Sequence, residues 1–320
     1  MNIKAFADKV QENISKVIIG KDREIKLLLT SVICGGHVLM EDVPGTGKTV
    51  MAKSLAASID CAFSRIQFTP DLLPGDITGL SVYDTSKAEF VFKPGPVFTN
   101  VLLADEINRA TPRTQSALLE CMEEKQVTAD GITRPLPAPF LVIATQNPIE
   151  TQGTFPLPEA QLDRFLMKLG IGELSHEDAV AVLARFLKND PLKELSAVCT
   201  AQDILDARKA CENCEVSQPV MSYIASLCEA TRRAENVVLG VSPRGMLALM
   251  KACRAWALID GRDFVTPDDV KALAIPVLAH RIAVRGVYGQ TGASVEAVKQ
   301  ALSMAEVPTE DAKKTETEEE

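Results

Sequence analysis

The chain has 320 residues, 46% of them hydrophobic and 24% charged, with a net charge of −9. That balance describes an ordinary globular protein and excludes a disordered or bilayer-spanning one, and the length suggests two domains. The acidic balance and the lack of a Lys/Arg-dense stretch argue against wholesale nucleic-acid binding, while the polar start MNIKAFADKV lacks the apolar centre of a signal peptide, so a cytoplasmic location is expected.

Taken in order, the first element is a helix over residues 2 to 17, with Ile3, Phe6, Val10, Ile14 and Val17 at helical spacing. Ile18, Ile19 and Gly20 form a hinge before a second helix that ends at Gly35 and Gly36. That hinge is either a plain helix junction or an apolar flap over an adenine. HVLM (37 to 40) then reads as a short buried strand and AKSLAASI (52 to 59) as a helix, with EDVPGTGKTV between them. A strand, a glycine turn and a helix N-terminus make a phosphate cradle, in which backbone N–H groups and the helix dipole attract an anion. Gly45, Thr46, Gly47, Lys48, Thr49 and Val50 are the candidate nucleotide-binding residues, Lys48 on the β- and γ-phosphates and Thr49 on Mg²⁺. The pattern departs from GxxxxGK[ST] at its first glycine, where Asp42 stands on the shoulder of the loop.

A strand is expected at Ser64 to Phe68, and Ser81 to Phe98 alternates around a polar turn like a hairpin, either surface decoration or a contact arm. The run Val101 to Ala104 reads as a central parallel strand ending in two carboxylates. Asp105 is placed to hold Mg²⁺ and Glu106 to polarise an attacking water. A helix starts at Thr111, with Pro112 in its first turn, and Asp130 and Gly131 make a two-residue hairpin turn. LVIATQNP (141 to 148) is another strand that ends polar; Asn147 is either a turn residue before proline or a side chain that orients water. The segment 154 to 171 carries Arg164 on a short helix, pointing either into a salt bridge or at a neighbour's phosphate.

From residue 172 helical patterns dominate. Ser175 caps a helix through Leu187, and others fit 201 to 211, 219 to 232, 243 to 259, 267 to 281 and 294 to 305. Ser242 and Thr266 each precede a proline, an N-cap followed by Pro at the first helical position. Arg244 lies in a first helical turn, where the dipole disfavours a cation unless an anion is near, so it is a phosphate candidate as well as a plain surface charge. Beyond Pro308 the acidic tail has no apolar residue and is expected to be disordered. Among eight cysteines only Cys211 and Cys214 form a CxxC, with no second pair or histidine at metal spacing, so all eight read as reduced thiols.

With these residues in place, the chain resembles the MoxR family of AAA+ ATPases. The strings that carry the resemblance are EDVPGTGKT, QFTPDLLPGDITG, GPVFTNVLLADEINRATPRTQSALLECMEE, FLVIATQNPIETQGTFPLPEAQLDRF and VSPRG, spanning residues 41 to 245. The resemblance implies an α/β fold: a P-loop AAA+ core over residues 1–170, a parallel sheet flanked by helices with two hairpin inserts, then an all-α lid over 171–307 and the tail 308–320. It implies that Lys48 and Thr49 belong to Walker A, Asp105 and Glu106 to Walker B, Asn147 to sensor 1, Arg164 to the arginine finger acting on a neighbour's ATP, and Arg244 to sensor 2. It further implies ATP and Mg²⁺ as ligands, a hexameric ring, and chaperone-like remodelling of partners with von Willebrand factor A domains. Two other functional classes remain open on the residues alone: a nucleotide-gated scaffold, and a DNA-directed AAA+ motor of the helix-2-insert branch.

Overall fold

The computed structural model describes residues 2–43, 45–148, 153–187, 191–285 and 291–308, so the expected disorder beyond Pro308 lies outside the described residues. The chain divides into two compact units, Met1–Ala207 and Arg208–Glu320. The change to helical patterning near residue 171 and this division do not coincide. Hydrogen bonds explain why: Val198 N–H and Cys199 N–H donate to the Ser58 carbonyl, and the Asn13 side-chain Nδ2 donates to the Ser196 carbonyl, so the segment before residue 200 stays with the first unit.

The first unit opens with helices α1 (Ile3–Ser15) and α2 (Asp22–Cys34), then strand β1 (Val38–Glu41), α3 (Lys48–Ser58), β2 (Phe63–Gln67) and the short α4 (Pro74–Thr78). A hairpin of β3 (Gly79–Asp84) and β4 (Glu89–Pro94) follows, then β5 (Val101–Asp105) and α5 (Pro112–Glu124). A second hairpin, β6 (Gln126–Ala129) with β7 (Ile132–Pro135), precedes β8 (Leu141–Gln146), α6 (Glu159–Leu162), β9 (Met167–Leu169) and α7 (His176–Phe186). The main sheet has the order β2-β5-β8-β1-β9, and every pairing in it is parallel. Strand β9 went unread in the sequence, where the segment 154 to 171 suggested only a short helix carrying Arg164; the helix found there, α6, ends two residues before Arg164. A three-residue strand is too short to show a period of two.

Alternation along the central strands assigns the two faces of the sheet. Leu39, Leu102, Ala104, Val142 and Ala144 share one core cluster with Leu118, Met122 and Phe165, while their neighbours Val38, Met40, Leu103 and Ile143 are equally buried outside that cluster. Burial on both faces is why these strands are unbroken apolar runs. Each fully buried aliphatic side chain contributes about 1.5–3 kcal/mol, so the stability of the sheet lies in its middle and its polar ends are available for chemistry.

The two hairpins touch each other. The Arg134 guanidinium lies 3.9 Å from the centroid of the Phe92 ring, and Ser81 Oγ donates to Asp130 Oδ2. Asp130 and Gly131 both have positive φ (54° and 74°), the turn that matches hairpin twist. At the root of the first hairpin the backbones of Gly79 and Gly95 meet so closely that a β-carbon on Gly95 would stand 2.2 Å from the Ile77 carbonyl oxygen. Ile77 itself is fully buried in the core cluster.

The second unit takes up α8 (Ala201–Cys211) near its C-terminal end, then α9 (Gln218–Arg233), β10 (Val237–Leu239), α10 (Pro243–Ile259), α11 (Pro267–Leu278), β11 (Ala283–Val284) and α12 (Thr291–Met304). Its caps are those the sequence suggests: Ser242 Oγ accepts from Gly245 N–H, and Thr266 with Asp269 forms a reciprocal capping box. Helical periodicity does not register the small β10–β11 antiparallel ribbon, whose strands are two and three residues long. All eight cysteines are free thiols, and burial pushes those of Cys121 and Cys228 up to about 12. No helix among the described residues is long and apolar enough to cross a membrane.

Candidate functional site

Because β1, β8 and β5 run parallel and adjacent, their C-terminal ends emerge at one edge of the sheet. The turn after β1 leads into α3, whose N-cap is Gly47 at φ 93°, with Gly45 at φ 88° two residues earlier. A β-carbon built on either glycine meets nothing within 4 Å, so open space lies over the loop. No side chain caps α3 and its first turn holds no acidic residue. An eleven-residue helix with such an N-terminus offers its first N–H groups and the positive end of its dipole to an external anion. Triphosphate therefore fits the residues present. Thr46 Oγ1 donates to the Val43 carbonyl at 3.3 Å, and Thr49 and Val50, both half-buried, stand in the first turn of the helix.

Asp42 has a use that the glycine pattern does not anticipate. Its Oδ2 accepts from Gly172 N–H at 2.7 Å and its Oδ1 from Val43 N–H at 2.9 Å, so the side chain ties the shoulder of the loop to the turn after β9. Lys48 Nζ donates to the Asp42 carbonyl at 2.7 Å, using one of its three protons. Burial holds the Lys48 ammonium below its ordinary pKa, and the carboxylates of Asp42, Asp105 and Glu106 oppose that shift. Lys48, Asp105 and Glu106 are thereby within electrostatic reach of one another.

At the end of β5 the carboxylates are held by a network. The buried Thr145 hydroxyl donates to Asp105 Oδ1 at 2.6 Å and accepts from Glu106 N–H at 2.9 Å, which pins a backbone turn in which Glu106 has φ 56°. A non-glycine residue in that region costs about 1–3 kcal/mol and persists only where its surroundings fix it. Arg65 donates to Asp105 Oδ2, Gln67 Nε2 donates to Glu106 Oε2 at 2.8 Å, and Arg109 pairs with the same Glu106 oxygen at 3.0 Å. Sequence reading missed Thr145, Arg65, Gln67 and Arg109. The available signal for the first was a polar residue inside an otherwise apolar strand run.

Asn147 follows β8 directly and is half-buried, one residue beyond Gln146, whose amide donates to Glu41 Oε1 at 2.7 Å. Glu41 also pairs with Lys168. Arg164, just after α6, pairs with Glu123 at 3.3 Å, both side chains about one-third exposed. Ile19 is half-buried and Gly20 lies against the Asp178 carboxylate at the start of α7. Arg244 is an exposed residue at the second position of α10, in the second unit. No group of three or more His, Cys, Asp or Glu side chains that could hold a metal occurs among the described residues, so a divalent ion here would rest on Thr49, Asp105 and the phosphates themselves, the sparse protein ligation usual for Mg²⁺.

Comparison with known proteins agrees with this geometry. Residues 37–167 match the model for the ATPase family associated with various cellular activities (AAA), and residues 229–302 match the AAA lid domain. The chain is 48% identical to the uncharacterized protein YeaC of Bacillus subtilis (strain 168), over 94% of this chain and 95% of that one. It is 42% identical to Chaperone MoxR1 of Mycobacterium tuberculosis, over 84% of this chain and 73% of the relative. A crystal structure of a candidate ATPase from Cytophaga hutchinsonii superposes with a TM-score of 0.88 at 38% identity, covering 96% of each chain. A parallel sheet with an uncapped helix at its edge, matches to core and lid, and these relatives together place the chain in the MoxR family of AAA+ ATPases.

Proposed function

We propose that the chain is a chaperone-like remodeller that hydrolyses ATP to ADP and phosphate and uses the cycle to mature or assemble partner proteins. The observation that carries this reading is the uncapped N-terminus of α3 with Lys48 in electrostatic reach of Asp105 and Glu106. In this mechanism the backbone N–H groups from Gly45 to Val50 hold the phosphates, and the Lys48 ammonium offsets charge on the β- and γ-oxygens. Ile19 and Gly20 contribute to the adenine side. Thr49 and Asp105 would hold Mg²⁺, which would supply charge neutralisation at the phosphate oxygens. Glu106 draws a proton from the attacking water and Asn147 orients that water in line with the γ-phosphate. Arg164 leaves Glu123 to reach the ATP of an adjacent subunit, and Arg244, carried on the helical lid, loses its partner when phosphate departs.

The assembled form on this reading is a hexameric ring, and the partner is a protein with a von Willebrand factor A domain. Support for a protein partner comes from the hairpins, where Tyr83 and Phe90 stack edge to face and are 51% and 73% exposed, and where Ile132 is 55% exposed.

Two variants test the scheme. Glu106→Gln should bind ATP normally and lose turnover by ~10² to 10⁴, the usual worth of a positioned base. Arg164→Ala should also bind ATP and lose turnover by ~10³ or more, with the unaltered protein's specific activity rising as its concentration rises. Full turnover by Arg164→Ala at every protein concentration would sink the trans-acting role, and full turnover by Glu106→Gln the assignment of the base.

A further inference from the structure

Arg65 stands on β2, the edge strand of the main sheet, and takes hold of Asp105 with two nitrogens. Its Nη2 lies 2.6 Å and its Nε 3.2 Å from Asp105 Oδ2, while Asp105 Oδ1 is held by Thr145. The pair is unequal: the Asp105 side chain is 14% exposed and that of Arg65 47%. One member is anchored in the wall of the site and the other is half in water.

The same guanidinium reaches further. Its Nη2 donates to Gln67 Oε1 at 3.2 Å, and the Gln67 amide nitrogen donates to Glu106 Oε2. Arg65 and Gln67 alternate with buried Ile66 on β2, and the parallel register sets Gln67 beside Asp105. A single cation on an edge strand thus acts on both carboxylates that end β5. A divalent ion needs oxygen lone pairs and tolerates a nearby fixed positive charge poorly. Here Asp105 presents both oxygens already engaged.

We propose that Arg65 is a gating residue for the metal: in the nucleotide-free chain it occupies the carboxylate that Mg²⁺ requires, and arrival of the metal–nucleotide complex displaces it into solvent. Its departure also removes the Gln67 Oε1 partner, while Gln67 Nε2 and Arg109 keep their hold on Glu106 Oε2. This inference rests on the reading of Asp105 as the metal-side carboxylate. Arg65 acts through Asp105 and Gln67 and has no contact with the reacting atoms in this scheme.

The experiment measures binding, not turnover. A fluorescent ATP analogue is titrated into the full chain with Mg²⁺ and again with chelator, and the ratio of the two dissociation constants gives the coupling between metal and nucleotide. An ion pair with one member half in water is worth little, so removing this competitor in Arg65→Met should increase the ratio by about 1.4- to fivefold. Arg65→Lys, which keeps the charge but loses the fork, should fall between the two, and Arg65→Gln gives the same comparison if the methionine variant is unstable. A ratio unchanged or reduced in Arg65→Met or Arg65→Gln, with clear metal coupling in the unaltered protein, overturns the gate and leaves the proposed function standing. A ratio of one in the unaltered protein removes both.

Discussion

At the end of β1 the chain leaves a helix N-terminus without a side-chain cap and open space above its glycines, whereas at the end of β5 three carboxylate oxygens are already engaged by Thr145, Arg65, Gln67 and Arg109. The phosphate side is preformed, because its donors are backbone groups that point outward once α3 forms. The carboxylate side is preoccupied, because a pair of acids left bare beside each other would repel, and the chain answers with its own cations and hydroxyls. Affinity for nucleotide should therefore be a property of the first side and its timing a property of the second.

The strongest way to break that contrast is Lys48→Met. Charged hydrogen bonds are worth ~1.5–3 kcal/mol, so nucleotide affinity measured by calorimetry should fall about 10- to 100-fold. Unaltered affinity would mean that the backbone cradle suffices without the ammonium. On the other side, Thr145→Val keeps the shape of a buried side chain and deletes the hydroxyl that serves both Asp105 and Glu106 N–H. Stability in urea should drop by about 1–3 kcal/mol, the cost of orphaning buried polar groups, and Thr145→Ser should recover most of it. The smallest effect is expected from Asp42→Gly, which restores the glycine of the general phosphate-loop pattern but cuts the tie to Gly172. A loss of about 0.5–1.5 kcal/mol in unfolding free energy would show that the preformed side is itself held in shape by a side chain. No loss would show that the loop is shaped by its backbone alone.

The strand, glycine turn and helix over residues 37 to 59 were legible because apolar run, turn and helical period follow one another without interruption, and they correspond to β1 and α3. The strand runs ending at Asp105 and Gln146 were legible for the same reason, as were the caps at Ser175, Ser242 and Thr266. Residues at the ends of those runs could be named as candidates before their surroundings were known. The surroundings could not. Arg65 and Gln67 sit in a segment that reads correctly as a strand, but which strand lies beside it is a non-local fact, and without the β2–β5 register nothing connects Arg65 to Asp105. Asp42 reads as a flaw in a motif until Gly172, far along the chain, is brought against it. Strands β9, β10 and β11 escaped because two or three residues cannot establish a period.

The glycine crossing beneath the first hairpin carries a mechanical consequence. Gly79 and Gly95 close the root with no room for a side chain, and the Ile77 carbonyl that meets Gly95 belongs to a residue embedded in the sheet's own apolar cluster, where Val97 N–H also bonds to it. An arm closed at its base in this way is braced by Asp130 and Arg134 at one level, the Ser81–Phe92 pair. A push at Phe90 would be handed through that root to the packing around Ile77.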